Sequence, residues 1–175
     1  MDLYQIIITH NRPWKAREII CVTLLFAAAL FAAGYLIRHQ KIKRSQALAG
    51  ISLLLFLSVV FGSTVFTRMP SKRQFELQPF WSWREVIVNH NRELLKENLL
   101  NCILLVPMGI LLPILLHRKV TWQQGLLWGL LVSAAIETCQ LVFCRGLFEW
   151  DDMIHNALGC MAGCLLTNTV SRRKT

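Results

Sequence analysis

Polar side chains that are costly to bury in lipid lie inside or beside the most apolar segments of this chain. Glu137 and Gln140 stand near the end of one apolar run, and Asp152 and Asn156 near the start of the next. Such groups in a membrane usually line a site, a cavity or a helix contact. The candidate ligand-binding residues are Asn98, Asn101, Glu137, Gln140, Arg145, Asp151, Asp152 and Asn156.

Glu137 is the strongest single signal, because an ionised carboxylate roughly 10 Å inside a helical span needs a partner or a proton. Arg145, two helical turns later, could fold back to it. One interpretation is a hydrogen-bond lock of Glu137, Gln140 and Asn156 that holds the helices together. The others are a ligand-binding or catalytic site, with Glu137 and Asp152 as candidate catalytic residues, and a proton relay.

The remaining groups with ligand chemistry do not predict a metal site or a cofactor. The pair Asp151-Asp152 offers hard oxygens, but one acidic pair does not complete the coordination shell of a divalent cation. His155 could act as an acid or base, yet no serine or cysteine nucleophile is visibly arranged with it. The six cysteines form no CxxC pair and lie in or at the ends of apolar runs, where cysteine is mostly a small hydrophobic residue.

Five apolar runs must position these residues. Four of them reach the length that crosses a bilayer as a helix, and the fifth is weaker because it holds His155, Asn156 and Asn168. We therefore predict an all-α, polytopic transmembrane helix bundle with about five spans, whose main partner is the lipid bilayer. The runs are residues 19–37, 47–66, 99–116, 125–144 and 153–170.

The net charge of +9 does not predict nucleic-acid binding, because the basic residues concentrate in loops, where they set topology and contact headgroups. The first run is longer than the apolar part of a usual signal peptide, so we expect a retained helix. Basic residues are densest in the short segments 38–46, 117–124 and 171–175, which favour the cytoplasm. We expect the N-terminus outside, the C-terminus in the cytoplasm and the polar residues facing outward.

The segment before the third run is predicted to be structured. Residues 78–83 place three aromatic side chains around a turn, and Ser82-Trp83-Arg84-Glu85 matches a capping box with Ser82 as the N-cap. Apolar spacing from Trp83 to Leu95 predicts an amphipathic helix in the membrane interface, with a solvated surface helix as the alternative. Within the third run, Pro107 and Gly109 predict a kink.

Small residues recur every four positions in the fourth and fifth runs, which lets helix backbones approach closely in lipid. If these two spans form a tight hairpin centred near residue 148, Glu137 is level with Gly159 and Gln140 with Asn156. The predicted helix-packing residues are Gly125, Gly129, Ser133, Gly159 and Gly163.

From Leu77 to Gly163 the chain resembles the VanZ-like family of bacterial membrane proteins. The matching pieces, in order, are Leu77-x-Pro79-Phe80, Asn101, Pro107-x-Gly109, Glu137-x-x-Gln140, Arg145, Asp151-Asp152, Asn156 and Gly159-x-x-x-Gly163. Glu149 stands where an aspartate is common in the family. The resemblance implies a bacterial plasma-membrane protein, and the family's prototype gives low-level resistance to teicoplanin, a lipoglycopeptide antibiotic.

The resemblance also divides the chain into two N-terminal transmembrane helices (1–66), a VanZ-like domain (67–170) and a basic tail (171–175). Our first hypothesis is a non-enzymatic cell-envelope protein that binds a lipid-linked cell-wall precursor or an amphiphilic glycopeptide antibiotic in an outward polar pocket. The second is a membrane enzyme that modifies a lipid-linked cell-wall component, with Glu137 as acid or base. A transporter is disfavoured, because the polar residues crowd one face and the far halves of the spans offer no path.

Overall fold

The computed structural model describes residues 11–172, with side chains up to residue 170. The predicted basic tail, 171–175, falls outside the described side chains. The elements are α1 (Ala16–Arg38), α2 (Arg44–Phe61, continued by a π-helical turn, Gly62–Phe66), β1 (Gln74–Glu76), α3 (Trp81–Val88), α4 (Arg92–Leu104), α5 (Val106–Leu116), α6 (Trp122–Phe143), β2 (Leu147–Glu149) and α7 (Trp150–Arg172).

The predicted all-α polytopic bundle is confirmed. Within residues 11–172, four segments are long and apolar enough to cross a membrane, namely Ala16–Arg38, Arg44–Phe66, Arg92–Leu116 and Trp122–Phe143. The fifth, α7, has 23 residues, which is long enough for a span, but it is not among the four. The weak fifth run of the sequence is therefore also the least apolar long helix of the structure.

Helix α7 lies inside the bundle and packs against α4, α5 and α6. Its side chains at Asp151, His155 and Asn156 are each at most 3% exposed, and Cys160 and Cys164 are fully buried. This position explains why α7 can be polar, since its polar groups face neighbouring helices, where they can find hydrogen-bond partners, and not lipid.

Two glycines let α7 run in close contact with the third span. A Cβ atom at Gly159 would overlap the carbonyl oxygen of Cys102, and one at Gly163 would overlap that of Val106. Further along, the Thr167 hydroxyl donates to the Ile110 carbonyl oxygen at 3.1 Å. The two helices thus run parallel and begin at the same end of the bundle.

The third span is divided at Leu105 into α4 and α5. Leu105 leaves helical geometry (φ −98°, ψ 8°), and Pro107 follows as the second residue of α5. Proline is tolerated in the first turn of a helix because its missing N–H would have no intrahelical partner there. The interruption therefore lies where Pro107 can be accommodated, although Pro113 remains inside α5.

The amphipathic helix expected from Trp83 to Leu95 is wrong in its extent. Helix α3 ends at Val88, His90 has a left-handed backbone (φ 50°), and α4 begins at Arg92. The Asn91 side chain caps α4 by accepting from the Leu94 N–H at 3.1 Å. A local capping signal at Asn91 thus starts a new helix in the middle of the predicted one.

The predicted register of the last two spans is also wrong, by about two helical turns of one helix against the other. The Asn156 amide donates to the Ser133 hydroxyl at 2.8 Å, and a Cβ at Gly129 would lie 2.7 Å from the Cβ of Cys160. These pairs are equidistant from a point between residues 144 and 145, not from residue 148. The expected symmetric turn is replaced by β2, which pairs in parallel with β1. Glu137 therefore lies level with Asp152, and not with Gly159.

The close approach of α7 and α4 predicts a specific cost for a single methyl group. Gly159→Ala should lower the free energy of unfolding by about 1–3 kcal/mol, because the new Cβ meets backbone that cannot rotate away. Gly34→Ala is the matched control, since a Cβ there meets no described atom within 4 Å and alanine favours helix. Thermal unfolding in detergent, followed by circular dichroism, measures both. Equal midpoints for the two variants would contradict the packing argument.

Candidate functional site

A group of three acidic side chains and one amide lies at the end of the bundle where α4 and α7 begin and α6 ends. We call this group, formed by Asn101, Glu137, Glu149 and Asp152, the polar cleft. The Asn101 amide donates to Asp152 Oδ1 at 2.5 Å. Glu137 is 2% exposed, and its Oε2 accepts from the backbone N–H of Glu149 at 3.1 Å.

Asp151 is occupied in holding α3 rather than lining the cleft. Its carboxylate accepts from the Phe80 N–H at 2.5 Å, the Ser82 N–H at 3.0 Å and the Ser82 hydroxyl at 2.5 Å. Asn98 in turn donates to the Ser82 hydroxyl at 3.1 Å. The predicted ligand-binding residues Asp151 and Asn98 thus spend these hydrogen bonds within the protein.

The capping box predicted at Ser82 is wrong. Phe80 is the N-cap of α3, with a left-handed backbone (φ 61°), and Ser82 is the second residue of the helix. The first N–H groups of a helix have no intrahelical partner and must be satisfied elsewhere. Here Asp151 of α7 satisfies two of them, which a local motif cannot reveal.

Arg145 does not return to Glu137 as expected. Its guanidinium donates to the carbonyl oxygens of Phe66, at 3.3 Å, and Arg68. These contacts tie the turn after α6 to the segment after α2. The charge of Arg145 is therefore directed at backbone oxygens at the edge of the site.

The proposed lock of Glu137, Gln140 and Asn156 does not form as a set of direct hydrogen bonds within the described residues. Gln140 donates to the Thr64 carbonyl oxygen at 3.1 Å, and Asn156 donates to Ser133. Gln140 and Asn156 thus each bond to a neighbouring helix at their own level, and Glu137 accepts from the backbone of β2. Interhelical bonds of this kind still hold the bundle together.

Arg68 is a basic residue of the site that the sequence did not single out. Its guanidinium lies against Gly146, where an added Cβ would be 3.0 Å from Nη1. Its charge also acts on Glu137 and Asp152 from beyond ion-pair distance. In the sequence Arg68 looked only like a headgroup contact, since its distance of about 70 residues from Glu137 hides their proximity.

The carboxylates of the cleft have no ion-pair partner among residues 11–170. The ion pairs in this part of the chain are Arg12–Glu18 and Lys96–Glu93, both away from the cleft. The same residues hold no group of three or more His, Cys, Asp or Glu side chains that could bind a metal ion. The cleft therefore contains more carboxyl groups than the basic side chains of the described residues pair with.

Glu149 is a second residue that sequence analysis did not assign to the site. It lies in β2, opposite Glu76 of β1, and is partly buried. Burial and the neighbouring negative charge of Asp152 raise the pKa of Glu149 to about 8. The Trp81 indole N–H is close enough to oppose this shift in part, although it does not reach hydrogen-bond geometry.

Besides the Trp81 indole N–H, two further polar atoms beside the cleft are buried without a described partner. The Trp83 indole donates to His155 Nε2 at 2.7 Å, so the proton of the neutral imidazole is on Nδ1, which is buried and unpaired. The Asn156 Oδ1 atom is likewise buried without a partner. Buried unpaired polar groups are unusual and often indicate a functional region or an ordered water.

The predicted packing residues all lie at helix contacts. Gly125 and Gly129 face Met161, Cys164, Ala157 and Cys160 of α7, while Gly159 and Gly163 face the third span. The second glycine pair thus packs against α4 and α5, rather than against α6 as the hairpin interpretation assumed. The close approach of α7 and the third span at these glycines brings Asn101 within hydrogen-bond distance of Asp152.

A family model described as VanZ/LLP1 matches residues 47–171. This region runs from the first turn of α2 to the last turn of α7 and contains every residue of the polar cleft. No curated protein and no solved structure matches the chain.

Removing the Asp151 carboxylate should release α3. Asp151→Ala leaves the Phe80 N–H, the buried Ser82 N–H and the Ser82 hydroxyl without this acceptor, which costs about 1–3 kcal/mol for each group that stays buried and unsatisfied. We expect a lower thermal midpoint and faster tryptic cleavage at Arg84 in α3. Cleavage at Arg118, in the distant loop before α6, is the internal control and should not change. Wild-type cleavage at Arg84 would show that Asp151 does not anchor α3.

The raised pKa of Glu149 predicts a pH dependence of stability. In the unfolded chain this carboxyl has its ordinary pKa of 4.5, whereas in the folded protein it keeps its proton to about pH 8. Stability should therefore fall as the pH rises from about 4.5 through about 8. Glu149→Gln should reduce that fall, measured as the thermal midpoint across the range. Glu76→Gln, on the paired strand, is the control, and a full wild-type slope in Glu149→Gln would rule out this assignment.

Proposed function

Because the chain belongs to the VanZ/LLP1 family, we propose that this membrane-embedded protein acts at the bacterial cell envelope by binding the polar head of an amphiphile in the polar cleft. The amphiphile is an envelope lipid, such as a lipid-linked cell-wall precursor, or a lipoglycopeptide antibiotic itself. The physiological outcome is low-level resistance to glycopeptides of the teicoplanin type. With the N-terminus outside the plasma membrane and the C-terminus in the cytoplasm, the cleft faces outward.

The observation that carries this proposal is the environment of Glu137. This carboxylate is 2% exposed, lies level with Asp152 on the facing helix, and receives a hydrogen bond from a single backbone N–H. A buried carboxylate needs partners, and here the neighbours are mostly further carboxylates. A ligand with ammonium, amide or hydroxyl donors would supply them.

Apolar side chains beside the cleft suit the rest of an amphiphile. Phe75, Leu77 and Phe80, in the segment that leads from β1 into α3, are 63%, 53% and 59% exposed. The same segment contacts the cleft through β1, which pairs with β2 and places Glu76 opposite Glu149. Polar groups next to exposed aromatic ones are typical of sites that orient an amphiphile at a membrane interface.

The enzymatic alternative rests on the pairing of Glu137 with Asp152. Two carboxylates in different surroundings can divide the roles of acid and base, because burial favours the protonated form of one of them. Glu137 is the more buried of the two, and Asp152 is held by Asn101. In this alternative Glu137 would transfer a proton to or from a lipid-linked cell-wall component.

The binding proposal predicts that Glu137→Gln and Asp152→Asn each abolish function although both variants are still folded and expressed. Expressed at wild-type levels in a susceptible bacterium, both should lower the teicoplanin concentration that the cells tolerate. Binding of fluorescent teicoplanin to the protein in nanodiscs should weaken about tenfold or more, as expected for a lost charge-assisted hydrogen bond. Glu85→Gln is the control, since its carboxylate bonds Asn89 on α3 outside the cleft.

Two results would decide against binding in the cleft. If both cleft variants retain resistance and teicoplanin binding at normal expression, the proposal is wrong. If instead the purified wild-type protein changes the mass of a lipid-linked cell-wall precursor, and Glu137→Gln does not, the enzymatic alternative replaces it.

A further inference from the structure

Helix α1 is attached to the bundle along one side only. It packs chiefly against α2, and none of its residues is buried. It is also apolar enough to span a membrane and lies outside the matched family region, which begins at residue 47. Most of its surface must therefore face lipid when the protein is embedded.

A cavity of about 670 Å³ lies between α1 and α2. We call it the α1–α2 groove. On the α1 side it extends from Arg17 to Leu25, which is about 12 Å along a helix. Its apolar lining includes Cys21, Val22, Leu25, Leu54, Leu57 and Phe61.

The groove has a basic end. Arg17 lines it at the start of α1, and Glu18, the acidic residue among the described residues of its lining, is already engaged. Glu18 accepts from the Arg12 guanidinium and from the Lys15 backbone N–H at 2.9 Å. Arg17 thus forms no ion pair within residues 11–170, and the positive N-terminal end of the helix dipole adds to its charge.

A second pocket of about 540 Å³ adjoins this end and shares Trp14 with the groove. It is lined in part by Arg12, Ser63 and Thr67. The Asn11 Oδ1 atom in its wall is buried without a described partner. The Trp14 indole packs directly against Gly62, because a Cβ at that position would overlap the ring.

We propose that the α1–α2 groove holds one acyl chain of an anionic phospholipid, with the phosphate against Arg17 and the polar headgroup toward the adjoining pocket. An apolar groove between two membrane-spanning helices can hold a hydrocarbon chain. Within a bilayer, the apolar lining of the groove contacts either another helix or the chain of a lipid. The excess positive charge at its end favours a phospholipid with a net negative charge over one with a zwitterionic headgroup. Trp14 lies where indole rings usually lie, at the boundary between chain and headgroup.

The experiment uses the full-length protein in nanodiscs that contain a trace of photoactivatable phospholipid with a diazirine in the acyl chain. Phosphatidylglycerol is compared with phosphatidylcholine, which carries the same chain and no net charge. Peptide mass spectrometry then maps the adducts. Phosphatidylglycerol adducts should concentrate on residues 17–25 and 54–61.

Arg17→Gln should lower phosphatidylglycerol adducts in the groove about fivefold and leave phosphatidylcholine adducts unchanged. Arg38→Gln removes the same charge at the other end of α1 and should have no effect there. Cys21→Trp fills the groove from an exposed position and should reduce adducts of both lipids. Thermal unfolding of each variant checks that the fold is intact.

Three results would overturn the proposal. Adducts spread evenly over all apolar helices would show that no defined groove site exists. Equal groove labelling by both lipids in the wild-type protein would remove the role of the net negative charge of the headgroup. Equal effects of Arg17→Gln and Arg38→Gln would show that overall charge, rather than Arg17, attracts the lipid. None of these results bears on the polar cleft, which lies on other helices.

Discussion

The Asp151 carboxylate is the interaction on which the polar end of this bundle depends. A buried carboxylate without a partner is unfavourable, and so are the first N–H groups of a helix when nothing accepts their hydrogen bonds. Asp151 solves both problems, because it accepts from two backbone N–H groups and a hydroxyl of α3 while it lies in the first turn of α7. Acidic residues in a first turn are also favoured by the dipole of their own helix. Helix α3 is thereby fixed over the start of α7, which places Trp83 on His155.

The polar cleft follows from this fixed start and from two close packings. Gly159 and Gly163 let α7 approach the third span closely enough for Asn101 to reach Asp152. On its other side, the bond between Ser133 and Asn156 sets the register with α6. One turn nearer the end of the bundle, this register places Glu137 opposite Asp152. The concentration of negative charge is thus a consequence of helix packing rather than of any single motif.

The sequence predicted well what depends on local composition and poorly what depends on distant contacts. The apolar runs predicted a polytopic helical membrane protein, because the length of each run decides this class. Their order requires the third run (α4 and α5) and the fifth run (α7) to start at the same end of the bundle. The hairpin register could not be predicted, since β2 is stabilised by β1, about 70 residues away. The cap of α3 was missed for the same reason, as Asp151 acts across a similar distance. Arg145 was misassigned because backbone carbonyl oxygens, its actual partners, leave no trace in a sequence pattern.

The distribution of charge separates the roles of the two regions proposed to meet amphiphiles. The polar cleft has carboxylates without ion-pair partners, so it favours the amine and hydroxyl donors of a ligand and repels phosphate. The end of α1 has the opposite balance, because Glu18 is bound by Arg12 and Arg17 remains without an ion pair in the described chain. A lipid-linked precursor that carries both phosphate and donor groups would therefore enter the cleft by its donor-rich part. Its phosphate would have to stay outside, within reach of basic residues such as Arg68 at the rim.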